Sequence, residues 1–335
     1  MSYPFVSVII PLYNKAREIR RSINSVLSQT HRDFELIVVD DGSTDSSGDI
    51  VRQFVDPRIR LFVQVNSGEC AARNRGVEEA RGRLIAFLDA DDEWLDDFLE
   101  TVLVLHEQFP DAGLWGTACD LIRRNGRRCQ FPKSQLDYGT GATAGYIDYF
   151  SIPSYPFTSS SVLIKKEALK DAGLFPVGLT MGGDLDTWIR IALRYRIVRT
   201  RIPKTIVHWD ADNQSNSIGA AFIGNPPYFK SVSDYYHNET GKCSIPTSLL
   251  SYLAQMYSNK FFGLWLLGDY ESLREIAGNF NHTPGYRMKS YLYRAASLIP
   301  HQIVRAIWKL WRRVKGKHGS LPLSRNIYRQ RPADK

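Results

Sequence analysis

The sequence predicts an α/β domain with a mostly parallel sheet flanked by helices, followed by a helical region towards the C-terminal end. Short apolar runs alternate with amphipathic helical segments through residues 6–94, and the connections between them are short. Strands that alternate with helices in this way pair in parallel, because each helix crosses back over the sheet. Two apolar runs, at 34–39 and 84–88, end in acidic residues, so we expect polar side chains at the carboxyl edge of the sheet, where ligands bind in open α/β folds.

The elements can be placed from their apolar periodicity. Strands are predicted at residues 6–11, 34–39, 60–65 and 84–88, with helices at 16–29, around 50–54 and at 71–80. After Trp94 we expect a helix, a strand at 113–122, a long loop at 132–157, a strand at 159–164, a helix that opens near Met181 and a last strand at 197–207. The dipeptide Asn125-Gly126 is a hairpin signal.

Two parts with different charge are predicted, an α/β domain at residues 1–240 and a helical, basic, amphipathic region at residues 241–335. The net charge of the whole chain is +8. Residues 276–333 hold twelve Lys and Arg and no acidic residue. The high isoelectric point therefore belongs to this region, which predicts that it meets an anionic surface while the α/β domain does not.

Three carboxylates follow the predicted strand at 84–88, namely Asp89, Asp91 and Asp92. An unpaired carboxylate is costly to bury, so we expect these acids where the strand emerges, in water or on a metal. Oxygen ligands of this kind suit Mg²⁺ or Mn²⁺. A solvated turn, in which Asp91 or Asp92 caps the next helix, is the alternative at this point.

Several classes of protein lack support in the sequence. No Gly-x-Gly-x-x-Gly or P-loop motif follows the first strand, so an ordinary dinucleotide site or P-loop is not indicated. The four cysteines are scattered, which favours neither a zinc site nor a disulfide framework and leaves a reducing cytoplasm as the expectation. No secretory signal and no apolar run of membrane-spanning length is predicted.

Four blocks in the α/β domain resemble the family 2 glycosyltransferases, which are inverting enzymes with a GT-A fold that use nucleotide-activated sugars. The blocks are VSVIIPLYN at 6–14, DFELIVVDDGSTD at 33–45, ARNRG at 72–76 and GRLIAFLDADDEW at 82–94. A later block, GGDLDTWIRIA at 182–192, resembles the family's acidic motif on a helix. The resemblance covers about residues 5–210, and the setting it implies is the synthesis of bacterial cell-surface polysaccharides.

The resemblance implies a set of residues that bind the nucleotide and donor sugar. Pro11 and Tyr13 would line the nucleobase pocket, and Asp41 would meet the base or ribose. The nucleotide and donor sugar would be contacted further by Asn66, Arg73, Asn74, Asp89 and Asp91. A nucleotide-sugar donor, with a UDP-sugar as the expected form, and a saccharide or lipid-linked saccharide acceptor are the implied partners.

The same resemblance implies the reacting groups. Asp184 would be the general base that takes the acceptor's proton, because an alcohol is a weak nucleophile at neutral pH. Helix capping by Asp184 is the structural alternative, and Asp186 is its rival for the role. Two positions depart from the family pattern: Gly183 stands where Glu is usual, and Cys70 stands where a small Ala is common. A packed thiol is the expected role of Cys70, with a reactive thiol as the alternative.

A divalent cation, Mn²⁺ or Mg²⁺, is the implied cofactor. Asp89 and Asp91 match the family's Asp-x-Asp, with Asp92 beside them, and the cation would stabilise the charge on the leaving diphosphate. His208 ends the last predicted strand, where some family members place a further metal ligand. A hydrogen-bonded structural histidine is the alternative there.

The basic region carries a possible membrane-binding helix. On a helical wheel, residues 301–314 separate into an apolar face with two tryptophans and a basic polar face. Helices of this kind lie in membrane interfaces, so we expect residues 285–318 to bind an anionic membrane surface and the protein to be cytoplasmic and peripheral on the inner face of the cell membrane. A helix packed on protein is the alternative. Nucleic acid is not expected, because the aromatic residues lie opposite the charges.

The sequence therefore predicts a metal-dependent inverting glycosyltransferase. A non-catalytic nucleotide- or glycan-binding module on the same scaffold is the alternative. A nucleotidyltransferase also has an acid-edged α/β sheet, but it needs a glycine-rich loop after the first strand, and residues 11–15 contain no glycine.

Overall fold

A computed structural model of the chain describes residues 5–122, 126, 128–131, 144–149, 156–179 and 182–208, with the isolated positions 248, 274 and 302. Met1–Ser215 forms one compact unit and Asn216–Lys335 a second. The predicted domain boundary at residue 240 and nearly all of the basic region fall outside the described residues, so these two expectations stay predictions.

The strands and helices of the first unit follow the predicted alternation in their first half. The strands are β1 (Val6–Leu12), β2 (Phe34–Asp40), β3 (Ile59–Val63), β4 (Leu84–Phe87), β5 (Glu93–Trp94), β6 (Ala112–Ile122), β7 (Arg128–Phe131), β8 (Ala144–Ile147), β9 (Val162–Lys165) and β10 (Arg196–His208). The helices are α1 (Ile19–Leu27), α2 (Ser47–Arg52), α3 (Glu69–Glu79), α4 (Phe98–Gln108), α5 (Lys166–Asp171) and α6 (Gly183–Ala192), and a 3₁₀ turn covers Ser159–Ser161.

All of these strands belong to one sheet in the order β3-β2-β1-β4-β9-β6-β10-β5, with β7 paired to β6 and β8 paired to β10. Strands β3, β2, β1 and β4 are parallel, and so are β6 and β10. Strand β9 lies antiparallel between β4 and β6, and β5, β7 and β8 also pair antiparallel. The α/β class is confirmed, but the sheet is mixed rather than mostly parallel, because β9 runs antiparallel to both of its neighbours and three further strands also pair antiparallel.

Strand β1 lies between β2 and β4 and is buried along its whole length. Val8 and Ile10 belong to the main core together with Ile23 of α1 and Phe98 of α4. On the other face α3 packs closely on the strand, since a Cβ added at Gly76 would lie 2.4 Å from a side-chain carbon of Ile9. The continuous apolar run of β1 therefore reflects burial on both faces.

Two strands were not predicted. Strand β5 has only two residues, and it delays α4 until Phe98, whereas a helix was expected directly after Trp94. Strand β8 lies inside the predicted loop at 132–157, where its mixture of Gly, Ala and Tyr carries no strand pattern. The hairpin signal at Asn125-Gly126 is confirmed by the antiparallel pairing of β6 with β7.

Within the described part of the chain, none of the helices is both long enough and apolar enough to cross a membrane.

Candidate active site

Polar side chains collect at the carboxyl edge of the parallel strands. Leu12 at the end of β1 pairs with Asp40 at the end of β2, and β4 lies on the other side of β1. Strand β4 leads into Asp89, Asp91 and Asp92, which we call the acidic segment. The acids thus stand after β4 at the carboxyl edge, as the sequence predicts.

Two carboxylates of the acidic segment form ion pairs with cations from other elements. Lys15 Nζ, from the segment after β1, lies 2.8 Å from Asp91 Oδ2. Arg73 Nη2, from α3, lies 2.8 Å from Asp89 Oδ1. Within the described residues the second oxygen of each carboxylate accepts no hydrogen bond, so each keeps an oxygen for a ligand or a cation.

The third carboxylate of the segment, Asp92, is buried, with 3% of the residue exposed. Its Oδ2 accepts a hydrogen bond from Ser160 Oγ at 2.6 Å, and its Oδ1 accepts one from the backbone N–H of His208 at 3.2 Å. Burial raises the pKa of Asp92 well above its usual range, and the charges of Asp89 and Asp91 raise it further. Of the two expected settings, water or a metal, water is therefore wrong for Asp92, because two hydrogen bonds satisfy it inside the protein.

The helix-capping alternative for the acidic segment is also wrong. Strand β5 follows the segment, and α4 begins only at Phe98, with Asp97 at its N-cap position. The segment is therefore a turn between two strands of the sheet, and its acids are free of any role at a helix end.

His208 is the last residue of β10 and lies beside the acidic segment through its backbone. Its imidazole Nε2 is 3.0 Å from Glu93 Oε1. Within the described residues, no three His, Cys, Asp or Glu side chains are grouped closely enough to hold a metal ion. The metal-ligand roles predicted for His208, Asp89, Asp91 and Asp92 stay predictions.

Asp184 lies in the first turn of α6 and is partly exposed. Ser159 Oγ donates a hydrogen bond to its Oδ2 at 3.4 Å. Gly182 occupies the N-cap position of the helix, so the capping alternative for Asp184 is wrong. The rival acid Asp186 is 2% exposed and forms an ion pair with Arg190 Nε at 2.8 Å. Asp184 is therefore the acid in this turn that a substrate can reach.

Arg73 is a buried cation that joins α3 to the acidic segment. Its Nη2 donates to Glu69 Oε1 at 2.5 Å and to Asp89 Oδ1 at 2.8 Å. The guanidinium also lies over the ring of Phe175, 5.4 Å from the ring centroid. Two carboxylates and an aromatic ring hold this guanidinium at the edge where the donor is expected.

Glu69 is the first residue of α3, and about half of its side chain is exposed (51%). The guanidinium of Arg73 lowers the pKa of this carboxyl. Desolvation and the negative charges of Asp89 and Asp184 outweigh that cation and raise the pKa to about 7. Solvent at the exposed half of the side chain screens these charges and reduces their effect. Glu69 therefore belongs electrostatically to the same cluster as Asp184 and the acidic segment.

Asn74, predicted to lie near the nucleotide, uses its side-chain amide inside the protein. Its Nδ2 donates to the carbonyl of Phe175 at 2.8 Å, and its Oδ1 accepts from the N–H of Phe175 at 2.9 Å. This pair of bonds fixes the segment before α6 to α3. The structure thus assigns Asn74 to positioning Phe175, and a contact with the donor stays a prediction.

Cys70 and Gly183, the two departures from the family pattern, lie in contact with each other. A Cβ added at Gly183 would lie 2.3 Å from Cys70 Sγ, which is too close for any side chain unless Cys70 moves. Burial raises the pKa of the Cys70 thiol to about 11, which keeps it protonated. The expectation of a packed thiol agrees with this geometry. The contact also brings the first turns of α3 and α6 together.

Asp41, predicted to meet the base or ribose, is 3% exposed and accepts three hydrogen bonds. Its Oδ1 accepts from Gln64 Nε2 at 2.7 Å and from the N–H of Ser67 at 2.9 Å, and its Oδ2 accepts from the N–H of Gly68 at 2.8 Å. Asp41 therefore shapes the turn that leads into α3. Asn66 is exposed in the same turn.

The predicted base-pocket residues follow one another at the end of β1. Pro11 is buried within the strand, and Tyr13 just beyond it is 46% exposed. An exposed aromatic ring at the carboxyl edge suits stacking against a base, although contact of either residue with a nucleotide stays a prediction.

Sequence reasoning missed four residues of this site. Lys15 pairs with Asp91 across 76 positions in the sequence, and no local pattern indicates that pairing. Glu69 was not singled out. Ser159 and Ser160 were assigned to a strand, although consecutive serines before a buried apolar run were a signal that hydroxyl groups enter the interior.

The fold and the site define an α/β domain with an acidic turn at the carboxyl edge of its sheet and a helix-borne carboxylate beside it. Residues 7–160 match the family described as "Glycosyl transferase family 2". These residues of the chain therefore form a domain of this family.

Curated relatives agree with that membership. The chain is 48% identical over 103 residues to the "Putative teichuronic acid biosynthesis glycosyltransferase TuaG" of Bacillus subtilis (strain 168), a match that covers 30% of this chain and 41% of the relative. It is 31% identical over 244 residues to an "Uncharacterized glycosyltransferase" of Rickettsia felis, covering 70% of this chain and 39% of the relative. This chain therefore spans well under half the length of these two relatives.

Among solved structures, the chain resembles S. aureus TarS 1–349 in complex with UDP-GlcNAc. The TM-score is 0.68 at 19% sequence identity, and the match covers 92% of each chain. A second TarS structure, in complex with UDP, gives a TM-score of 0.65 at 20% identity. At this level of identity the likeness shows the shared fold.

Proposed function

We propose that the protein transfers a sugar from a nucleotide-sugar donor, a UDP-sugar, to a hydroxyl group of a saccharide or lipid-linked saccharide acceptor, with inversion at the anomeric carbon. One observation carries the proposal. Ser159 contacts Asp184, and the next residue, Ser160, contacts Asp92 of the acidic segment. Since consecutive Cα atoms are about 3.8 Å apart, the helix-borne acid and the acidic segment lie in one small site.

In this proposal Asp184 is the general base. Its second oxygen accepts the proton of the acceptor hydroxyl, the hydroxyl oxygen forms a bond to the anomeric carbon, and the bond from that carbon to the diphosphate breaks. The nucleoside diphosphate leaves with an added negative charge. A single displacement of this kind inverts the anomeric centre.

The charges at the carboxyl edge suit such a donor. Arg73 and Lys15 supply positive charge beside Asp89 and Asp91, and each of the two carboxylates keeps an oxygen free among the described residues. These hard oxygen donors fit Mg²⁺ or Mn²⁺, so we propose Asp89 and Asp91 as the ligands of a divalent cation. When bound, the cation supplies electrostatic stabilisation of the leaving diphosphate.

The choice of donor and acceptor rests on the relatives. TarS, which shares the fold, is known in complexes with UDP-GlcNAc and UDP, and TuaG carries the name of a teichuronic acid biosynthesis enzyme. These names support a UDP-sugar donor and a polysaccharide or lipid-linked acceptor for this chain.

The direct test is a transfer assay with purified protein, Mn²⁺, a panel of UDP-sugars and saccharide acceptors. The proposal expects acceptor-dependent release of UDP and a product whose anomeric configuration, read by NMR, is opposite to that of the donor. Nucleotide binding without release, for every donor and acceptor, would favour the non-catalytic binding module. Retention of configuration would contradict the single displacement.

We also propose that residues 285–318 attach the protein to an anionic membrane, which would bring it to a lipid-linked acceptor. Their basic and apolar faces support this, although the segment lies outside the described residues apart from residue 302. Deletion from Pro300 onward should abolish co-sedimentation with anionic liposomes and spare transfer to a water-soluble acceptor. Liposome binding that survives the deletion would contradict the proposal.

A further inference from the structure

The 3₁₀ turn Ser159–Ser161, which we call the serine turn, places three hydroxyl groups in the protein interior. Ser159 is 2% exposed, and Ser160 and Ser161 are fully buried. Buried hydroxyl groups need hydrogen-bond partners within the protein, since no solvent reaches them. The three serine hydroxyl groups have different hydrogen-bond partners, and those partners indicate a different role for each serine.

Ser160 joins the serine turn to the acidic segment. Its hydroxyl accepts a hydrogen bond from the backbone N–H of Asp89 at 3.1 Å and donates one to Asp92 Oδ2 at 2.6 Å. Its carbonyl accepts from Trp94 Nε1 at 2.6 Å and from Thr205 Oγ1 of β10 at 3.0 Å. Four bonds to one residue therefore fix where the acidic segment leaves β4.

Ser159 joins the same turn to α6. Its hydroxyl donates to Asp184 Oδ2 at 3.4 Å, and this leaves the other carboxylate oxygen for a substrate. Asp184 is partly exposed, so without this contact its side chain would turn freely in the site. A donor on one oxygen restricts the carboxylate to an orientation in which Oδ1 is presented.

Ser161 makes no such connection. Its hydroxyl donates to the carbonyl of Thr158 at 3.0 Å and accepts from the N–H of Thr158 at 3.0 Å. Both bonds go to the residue directly before the serine turn, so they do not reach α6 or the acidic segment. Ser161 is as deeply buried as Ser160, so the chain offers a matched control for the loss of a buried hydroxyl.

We propose that Ser159 and Ser160 are positioning residues that hold Asp184 and the acidic segment in register with each other. The inference rests on the proposed function, in which Asp184 takes the acceptor's proton and the acidic segment binds the donor. The two serines are adjacent, so the turn acts as a short rigid link between base and donor site. Displacement of a reacting group by about 1 Å can cost on the order of 10²-fold in rate.

Substitution of each serine by alanine in the full chain tests the link, with kcat, KM for the UDP-sugar, UDP affinity and Tm measured for each variant. Ser159→Ala should lower kcat by about 10-fold or more and leave the donor KM and UDP affinity within about 2-fold, because only the base is released. Ser160→Ala should lower both kcat and UDP affinity. Ser161→Ala should lower Tm by a similar amount and leave kcat within about 2-fold.

A second variant guards against misfolding at Ser160, whose loss leaves Asp92 with one hydrogen bond. If Ser160→Ala does not fold, Ser160→Cys, which keeps a weak donor of similar size, takes its place with the same expected pattern. The proposal would be overturned if activity fell in proportion to Tm in all three variants, including Ser161→Ala. The serine turn would then be only a stabilising element.

Asp184→Asn separates this inference from the proposed function. If that variant retains turnover, the assignment of the base fails whatever the serine variants do. If it is inactive while Ser159→Ala keeps the wild-type kcat, the proposed function stands and the positioning role of Ser159 is overturned.

Discussion

Two carboxylate clusters lie at opposite ends of the same parallel strands, and they differ in how their charges are balanced. At the amino ends, Glu35 accepts hydrogen bonds from Ser7 Oγ, from the backbone N–H of Arg81 and from Arg60. We call these four residues the amino-edge cluster. Burial alone would raise the pKa of Glu35, but these bonds and the Arg60 charge lower it below its usual value. Glu35 is therefore ionised, and its charge is balanced by Arg60 and by two further hydrogen-bond donors.

At the carboxyl ends of the strands, the acids have fewer partners than Glu35 has. Asp89 and Asp91 have one cation each, while Asp92 has only neutral donors, and burial with the two neighbouring charges raises its pKa. Removing the partner of a buried charge is strongly destabilising, because it leaves a charge in the interior without compensation. The comparison indicates that the amino-edge cluster serves stability. At the carboxyl edge, Asp89, Asp91 and Asp184 each keep one carboxylate oxygen without a hydrogen-bond donor among the described residues, where a ligand can use it.

Among variants that test this difference between the two edges, the largest effect is expected for a substitution of Asp184. Asp184→Asn removes the proposed base and preserves the shape of the side chain, so kcat should fall by about 10²- to 10⁴-fold. Tm and UDP affinity should stay close to wild type, since the carboxylate is partly exposed. Steady-state kinetics with a UDP-sugar and calorimetric titration with UDP provide the measurement. A kcat within 10-fold of wild type would remove Asp184 from the role.

The next effect is on stability, at Glu35. Glu35→Gln leaves Arg60 and two further donors facing a neutral amide, so the free energy of unfolding at neutral pH should fall by about 2–3 kcal/mol. Urea unfolding measures this loss. Glu79→Gln is the matched control, because Glu79 also pairs with Arg60 but is a quarter exposed, and it should cost at most about 1 kcal/mol. An equal loss in both variants would contradict the account.

The pH dependence of that loss follows from the lowered pKa of Glu35. A carboxyl whose pKa is lower in the folded state contributes stability above its unfolded pKa, about 4.3, and loses it as pH falls through the folded value. The gap between wild type and Glu35→Gln should therefore be full at pH 7 and close below about pH 4. A gap that stays constant from pH 7 to pH 3 would show that the charge of Glu35 is not its cause.

The sequence predicted one half of the sheet better than the other. The runs at β1, β2 and β4 are continuous and apolar, and the helices between them have clear periodicity, so local signals determined those elements. The strand predicted at 159–164 corresponds to β9, but its position in the sheet could not be predicted, because its pairing with β4 and β6 depends on contacts across distant parts of the chain. Strand β5 is too short to leave a pattern.

The candidate site shows the same division. The family blocks predicted Asp89, Asp91, Arg73 and Asp184 as site residues, and their roles stay predictions. The contacts between them depend on partners that sequence spacing does not reveal: Ser160 lies 68 positions from Asp92, and Lys15 lies 76 positions from Asp91. Likewise the two departures at Cys70 and Gly183 became one packing feature only in three dimensions.

A smaller effect is expected where α3 and α6 touch. Gly183→Ala places a methyl group against Cys70 Sγ, and overpacking of this kind costs about 1–3 kcal/mol. Because the contact joins two turns of the site, UDP-sugar turnover should fall as well. Thermal unfolding and steady-state kinetics of the variant measure both effects.

Cys70→Ala supplies the control. Adding it to Gly183→Ala makes room for the new methyl group, so the double variant should recover most of the lost stability. Additive losses in the double variant would mean that the two residues do not interact, and the single packing feature inferred for them would be wrong.

The most direct test of the difference between the two edges is a thermal-shift measurement with UDP, with and without Mn²⁺, on wild type, Asp91→Ala and Glu35→Gln. A ligand at about 100 times its dissociation constant adds about 2.7 kcal/mol of stability. We predict a Mn²⁺-dependent rise in Tm for wild type and an equal rise from a lower starting Tm for Glu35→Gln. Asp91→Ala should lose the rise. An equal rise in Asp91→Ala, or none in any variant, would contradict a donor and cation site at the carboxyl edge.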